Sequence, residues 1–440
     1  MSTDHSATPI DPQSAARLGT DGLRLELVDT ADTTAFGRWL TAEARGFYDS
    51  TPTPETLAPQ LTGLADRRST GVYDDSAADP STPVATVSAW PTALTVPGRR
   101  SVPAWAISAV TVSPTHRRRG IARVMLEAEL RTATTLGASL AILTVSEATI
   151  YSRYGFAPAA MKADWRIDTR RARWTGPAAS GRVHFVTAED LREVSTDIVE
   201  RTRLGVPGQI EQWDLLRDRL LGIGADADRR KALRLVRYDD ADGEPQGFAV
   251  YTVKESGPEF SSHTVDIEHL VSATDDAYAG LWRYFLEHDL VTTVTAPLRS
   301  VDEPVAWQVA DIRAAHRVDQ HDHLWTRILN VAAALEGRNY AGPASIVLDV
   351  DDALGFADCL VLLEIDAEGV ATVTDLDGEA PLGAAALSLS VNELSALYLG
   401  GMSVGSLVRA GRITELRPGS ADVVDHAFHS TVTPWLGFWF

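Results

Sequence analysis

Only one cysteine, Cys359, occurs in the 440 residues. That excludes an intrachain disulfide framework and any zinc site built on several thiolates. No apolar run approaches the roughly 18 residues that a membrane-spanning helix needs. The opening segment MSTDHSATPIDPQ has neither a basic nor an apolar stretch, which speaks against secretory export, so the expected location is the cytoplasm. Basic residues are also outnumbered: 40 Lys and Arg against 60 Asp and Glu give a net charge of -20. A general nucleic-acid binder needs a basic face to displace counterions from phosphates. No nucleic-acid partner is therefore expected, and a cationic small molecule suits the balance better. What remains, 45% apolar and 7% aromatic residues, is a globular composition whose stability rests on apolar cores.

At about 150 residues per domain the length suggests roughly three domains. Residues 1–22, rich in Ser, Thr, Ala, Asp and Pro without apolar periodicity, read as a disordered tail. From Leu23 the segment LRLELV alternates as a strand, and AFGRWLTAEARGFY places Phe36, Leu40, Ala44 and Phe47 at helical spacing. Two strand-like segments, ATVSAW and WAISAVTVS, lead into THRRRGIARVMLEAELRTATTLGA, where Ile121, Met125, Ala128 and Thr132 share a helical face. The strand LAILTV follows. This order predicts a first α/β or α+β domain over residues 23–170, closed by the polar linker Thr169 to Gly181.

VDIEHLVSATDDAYAGLWRYFLEHD repeats the strand-to-helix layout of AISAVTVSPTHRRRGIARVMLEAEL, with Asp275 and Asp276 where the first copy holds arginines. A second, related domain over residues 171–312, without an anion site, is the expectation. A third domain covers 313–440. It is read as the helix LWTRILNVAAALEGR, the strands SIVLDVDD, CLVLLEID and GVATVTDLD, and the short helical segments LSLSVNELSALYLGG and VGSLVRAGRI.

The most informative residues are Arg117, Arg118 and Arg119 at the first turn of a helix, where the macrodipole already supplies positive charge. An anion there relieves the repulsion, because the N–H groups of Gly120, Ile121 and Ala122 can bond its oxygens. Gly120 permits close approach of the backbone. Pro114, lacking an N–H, stops sheet pairing just after Val112 and opens a gap between strands for an extended ligand. The pattern is not a Walker loop, since the Gly-Lys-Ser/Thr ending is missing.

Val110 to Ala122, V-T-V-x-P-x-x-R-R-x-G-I-A, closely resembles the acyl-coenzyme A signature of the GNAT superfamily of N-acetyltransferases. The resemblance implies acetyl-coenzyme A as cosubstrate. It has Val110 and Val112 pairing with the pantetheine arm, Arg117, Arg118, Gly120, Ile121 and Ala122 around the pyrophosphate, and Ser146 near the cofactor arm. SEATIYSRYGF, Ser146 to Phe156, is similar to the superfamily's second signature and puts Tyr151 at the thioester. A phenol of pKa about 10 suits protonation of a departing thiolate.

Acetyl transfer to an amine also releases a proton. The terminal residues PWLGFWF, Pro434 to Phe440, are almost wholly apolar and are expected to bury, carrying their α-carboxylate with them. Desolvation favours such a carboxylate as a proton acceptor.

From about Leu23 to Phe440 the chain resembles the enhanced intracellular survival (Eis) branch of these enzymes, on LWRYFLEHDLV, LWTRILNVAAALEGRNY and LSALYLGGMSVGSLVRAGRI. That resemblance implies tandem GNAT acyltransferase domains, the second degenerate, followed by a sterol-carrier-protein-like α+β domain. It also implies a homohexamer that acetylates amines of aminoglycosides, polyamines or lysine, with the carboxylate of Phe440 as base. Trp439 stands where some aminoglycoside-acetylating members have a carboxylate, which weighs against strong aminoglycoside turnover.

Trp39, Phe47, Trp105 and Trp439 are the candidate substrate walls. Asp319, His321, Asp322 and His323 read as a surface cluster, and no metal is expected. The competing reading is a non-enzymatic carrier whose third domain holds an apolar ligand.

Overall fold

The computed structural model describes residues 5–224, 227–255, 262–378 and 380–440. The chain divides into two compact units. The first holds residues 1–159, 324–429 and 440, and the second holds 160–323 and 430–439.

In chain order the strands are β1 (Leu23–Leu27), β2 (Arg68–Asp74), β3 (Ala85–Val96), β4 (Arg100–Val112), β5 (Leu140–Thr144), β6 (Ala157–Asp168), β7 (Arg182–Phe185), β8 (Arg234–Asp239) and β9 (Pro245–Glu255). They continue as β10 (His263–Ser272), β11 (Val291–Arg299), β12 (Ala315–Ile328), β13 (Ala344–Asp351), β14 (Cys359–Ile365), β15 (Ala371–Asp375), β16 (Ala385–Ser390) and β17 (Ile413–Glu415).

In the first unit β1 to β5 follow one another across a sheet, and residues 324–328 of β12 pair antiparallel with β5. The helix Ile121–Thr135 lies in the connection between the parallel strands β4 and β5. Its expected face is the buried one, with Ile121, Met125, Ala128 and Thr132 all inside. Each of its large apolar side chains stabilises the fold by about 1.5–3 kcal/mol through burial. The same unit carries a second sheet, in the order β15-β14-β13-β16-β17.

The second unit has the sheet order β6-β11-β10-β9-β8-β7, with the helix Asp275–Leu286 in the connection between the parallel strands β10 and β11. It repeats the strand, helix and strand of the first unit. Its helix start is filled by the protein itself: Asp276 accepts from Ser180 N at 3.0 Å, Ser180 Oγ at 2.9 Å and Tyr238 Oη at 2.5 Å.

Three expectations are corrected. Residues 1–22 are not wholly a loose tail, for Pro12–Gly19 is a helix capped by Asp11, which accepts from Ser14 N at 2.8 Å. Leu18 is buried in the core of the first unit, and Asp11 pairs with Arg131 at 2.9 Å. LWTRILNVAAALEGR is not one helix. It is the end of β12, then Asn330, whose side chain accepts from Ala333 N at 3.0 Å, then the helix Val331–Gly337. LSLSVNELSALYLGG likewise opens as β16 and turns helical at Val391, where Ser390 and Glu393 form a reciprocal cap.

Candidate active site

The first unit assembles most of the residues singled out by the sequence around the far ends of β4 and β5. Parallel pairing between these strands runs from Ala104↔Leu140 to Ala106↔Ile142, although β4 continues to Val112 and β5 to Thr144. Beyond that point β4 bulges. Its register against β3 shifts between Thr86 and Ser88, and Ala109 adopts a left-handed φ of 54°. Thr86 Oγ1 holds the bulge by donating to Ala109 O at 2.8 Å. Val110 and Val112, half-buried, follow directly.

The arginine loop comes next. A single 3-10 turn, Pro114–His116, leads to the helix at Ile121, and Arg118 (φ 63°) and Gly120 (φ 77°) are both left-handed. Gly120 caps the helix without a side chain, and a Cβ placed there would meet nothing within 4 Å. The first N–H groups of a helix have no intrahelical acceptor, so this open corner is a ready anion cradle. Around it His116 Nε2 lies 2.9 Å from Asp74 Oδ2, Arg117 Nη2 donates to Tyr48 Oη at 3.0 Å, and Arg119 Nη2 donates to Asp21 O at 3.1 Å. Ser76 and His116 hold the Asp74 carboxyl well below the usual carboxylate range. Arg118 is exposed, and no described residue pairs with it. The fit of this cradle to the pyrophosphate of coenzyme A is good: exposed amides at a helix start, guanidinium groups, and a glycine that keeps the approach clear.

At the other side of the gap, β5 ends at Thr144. Its Oγ1 donates to the Phe440 backbone oxygen at 2.6 Å and accepts from Phe440 N at 3.3 Å. The Phe440 ring meets the edge of Trp90 at 5.7 Å. On the Trp90 ring lies the Arg67 guanidinium, 3.5 Å from the centroid, and burial lowers the pKa of Arg67 to about 10. Tyr151 follows on the short helix Ala148–Tyr151, buried against Phe156 at 6.3 Å. Burial raises its phenol pKa, and a hydrogen bond with the exposed Ser146 opposes that rise. Tyr154 and Phe156 are core. Asn392 of the third domain donates from Nδ2 to Ser152 O at 2.9 Å and to Phe156 O at 2.8 Å, holding the backbone just after Tyr151.

The substrate-wall expectations divide. Trp39 and Trp105 are corrected to core residues, 2% and 1% exposed, with their indole N–H groups donating to Thr70 O at 2.8 Å and Glu129 Oε2 at 3.2 Å. Buried and satisfied, they have no face left for a ligand. Phe47 is 43% exposed. Trp439 belongs to the second unit, where its ring meets His323. The cluster at 319–323 is also corrected. Asp319 is exposed and His321 half-buried, the two paired at 3.0 Å, whereas His323 is completely buried. Sequence reasoning missed Thr144, Trp90, Arg67 and Asn392, none of which lies in a recognisable motif.

Comparison with known proteins identifies the domains. The profile of the acetyltransferase (GNAT) domain matches residues 28–159, a second acetyltransferase (GNAT) profile matches 211–331, and a sterol carrier protein domain profile matches 331–437. An uncharacterized N-acetyltransferase of Streptomyces avermitilis is 34% identical over 408 residues, covering 90% of this chain and 94% of that protein. N-acetyltransferase Eis of Mycobacterium tuberculosis is 32% identical over 357 residues, covering 79% of this chain and 83% of that protein. The crystal structure of Eis1 from Mycobacterium abscessus superposes with a TM-score of 0.80 at 25% identity, covering 95% of this chain and all of that one.

Two GNAT domains followed by a sterol-carrier-like domain define an N-acetyltransferase, and the GNAT fold implies acetyl-coenzyme A as the acetyl donor. The chain belongs to the Eis family of GNAT N-acetyltransferases. Among the described residues, no helix is long and apolar enough to cross a membrane.

Proposed function

We propose that the protein acetylates primary amines of aminoglycoside, polyamine or lysine-like compounds by direct attack within a ternary complex, and that it works as a homohexamer. Acetyl-coenzyme A supplies an activated acetyl thioester. Gly120, Ile121 and Ala122 bind its pyrophosphate through their backbone N–H groups, with Arg117 and Arg118 neutralising the charge, while Val110 and Val112 align the pantetheine arm. Ser146 lies along that arm. Backbone N–H groups beside the Ala109 bulge polarise the thioester carbonyl.

Only a neutral amine attacks that carbonyl. The Phe440 carboxylate takes the amine proton, and Tyr151 delivers a proton to the departing sulfur. Burial keeps the phenol protonated at neutral pH, as an acid requires. Phe47, exposed beside the arginine loop's partner Tyr48, contributes to the acceptor side.

The observation that carries this reading is the anchoring of Phe440 by Thr144 at the strand end that leads, seven residues on, to Tyr151. The test is coenzyme A release across aminoglycosides, polyamines, aryl amines and lysine peptides, with Tyr151→Phe and a chain lengthened by one glycine as controls. Turnover with at least one amine class, strongly reduced in both controls, is the expected result. Full turnover in both controls removes the acid and base roles. Light scattering of the purified protein checks the hexamer.

A further inference from the structure

In the second unit the helix Asp275–Leu286 packs on one face of its sheet but is shorter than the strands beneath it. Its 12 residues give a length of about 18 Å, whereas the 11 residues of β9 span about 36 Å. The helix runs out before the sheet does. Arg234 of β8 stands opposite Tyr251 of β9, and Phe185 of β7 stands opposite Val236, two residues further along β8. Residues two apart on a strand share a face, so Phe185, Arg234, Tyr251 and Val253 all project on the helix side, where the Tyr251 ring meets Phe285 edge-on at 5.1 Å. With His288, Asp289 and Leu290 from the connection after the helix, they line a cavity of about 330 Å³ that opens to solvent.

The inner wall is a fixed aromatic cluster. Tyr251 and Tyr284 share a hydroxyl hydrogen bond at 2.7 Å, and the His288 ring stacks on Phe285 with 6.2 Å between centroids. His288 Nδ1 faces Tyr284 O at 2.7 Å and so carries the hydrogen, which leaves Nε2 of the neutral ring as an acceptor. At the rim two large apolar side chains stay open, Phe185 at 71% exposure and Leu290 at 48%. Leu290 holds a left-handed φ of 64°, fixed by its carbonyl accepting from His263 N at 2.9 Å. The rim also carries both signs of charge. Arg234 and Asp289 are exposed, and the side chain of neither has an ion pair or hydrogen bond among the described residues.

These features define the complement. Aromatic walls favour a ring, and a guanidinium favours a carboxylate. The carboxylate of Asp289 favours an ammonium group, and so do the last carbonyls of the helix beside His288. A simple anion would be repelled by Asp289, and a simple cation by Arg234. We infer that this cavity binds an aromatic amino acid as its zwitterion, with the ring against Tyr251, His288 and Phe185, the carboxylate on Arg234, and the ammonium on Asp289 and His288 Nε2. Ligand pockets begin at about 300 Å³, and a cavity of this size suits one ring with a short polar chain. The amino acid is a bound ligand here and not an acetyl acceptor. In this unit the helix start that would hold a pyrophosphate is filled by Asp276, at the opposite end of the helix from the cavity.

Isothermal titration calorimetry on the full-length protein tests this with phenylalanine, tyrosine and tryptophan. Each is compared with its two half-analogues, for phenylalanine phenethylamine without the carboxylate and phenylpropionate without the ammonium. The expected result is that at least one amino acid binds about 10-fold or more tightly than either of its half-analogues. Arg234→Ala should erase the advantage over the amine and keep that over the acid, and Asp289→Asn should do the reverse. Both side chains are exposed and unpaired among the described residues, so neither change disturbs the fold. Absence of heat with all three amino acids up to about 1 mM overturns the inference. So does equal affinity for the half-analogues, or binding that neither variant alters, which would place the ligand elsewhere on the protein. If Phe185→Ser lowers the mass seen by light scattering, the rim is a contact between copies of the chain, and the inference falls as well.

Discussion

Thr144 and Phe440 are bonded in both directions: the threonine hydroxyl donates to the Phe440 oxygen at 2.6 Å and accepts the Phe440 N–H at 3.3 Å. One hydroxyl at the last position of β5 therefore fixes the orientation of the final residue. Thr144→Val keeps the shape and removes both bonds. A hydrogen bond to a charged group is worth about 1.5–3 kcal/mol, so kcat is expected to fall about 10-fold or more while the KM for acetyl-coenzyme A holds. Steady-state kinetics with the best amine checks this, and an unaltered kcat would show that the hydroxyl only packs.

Tyr151→Phe leaves the ring in its buried place against Phe156 and deletes the proton donor. General acid catalysis contributes about 100- to 10,000-fold, and a loss in that range is expected in kcat, with acetyl-coenzyme A affinity intact by calorimetry. Because burial raises the phenol pKa, the wild-type enzyme should show no alkaline decline from Tyr151 below about pH 10. A Tyr151-dependent limb near neutrality would contradict the assignment.

At the helix start, Arg118→Ala is expected to weaken acetyl-coenzyme A binding about 10-fold and to reduce its sensitivity to salt, since the side chain is exposed and pairs with no described residue. Gly120→Ala meets no steric obstacle but must hold a φ of 77°. It should cost about 1–2 kcal/mol in stability and lower cosubstrate affinity. Equal affinity in both variants by isothermal titration would place the pyrophosphate elsewhere.

Two buried histidines of the second unit are expected to make the stability of the protein acid-sensitive. Burial lowers the pKa of His269 to about 4, aided by the charge of Arg299, and burial also lowers that of His323 to about 4. The unfolded chain binds protons at these residues near pH 6.5, the folded chain only near 4, so their contribution is complete above about 6.5 and lost as pH falls through 4. The loss is on the order of 2–3 kcal/mol per histidine. Denaturant unfolding between pH 7 and 4 should show it, and His269→Leu should flatten the slope. An unchanged slope would mean that His269 is not held neutral.

Arg327 and Asp352 are both buried and bonded at 2.7 Å, and Arg327 Nε also donates to Tyr154 O at 2.7 Å. Arg327→Met leaves the Asp352 carboxylate buried and unpaired by charge, so a destabilisation of about 3–5 kcal/mol is expected. Thermal unfolding measures it, and a loss under 1 kcal/mol would show that the backbone N–H groups of Phe356 and Ala357 suffice for Asp352.

Local chemistry made part of this legible before any fold was known. The arginines and glycine of Arg117–Gly120 are readable because a helix start, a preceding proline and a φ-tolerant residue act over a few bonds. Thr144 was not readable, since its role depends on which residue the chain end meets, a fact of tertiary structure. The helix assigned to LWTRIL failed for a related reason. Residues 323–328 of β12 are all buried, so the strand has no solvent face and loses the alternation that marks a half-exposed strand. His323 was misjudged with it, because four polar residues within five positions that cannot converge on one ion suggested a surface cluster. Trp39 and Trp105 were misjudged because aromatic residues suit a core and a ligand wall equally.

Residues 324–328 of β12 complete the flank of β5, and Asn392 steadies the backbone beside Tyr151. A shortened gene product ending near residue 170 would therefore expose β5 as a raw edge, prone to sticking to its own copies. This acetyltransferase is not a detachable cassette with passengers behind it. Anyone trimming it for expression or fusion must keep the distal third, because that portion furnishes a piece of the catalytic sheet.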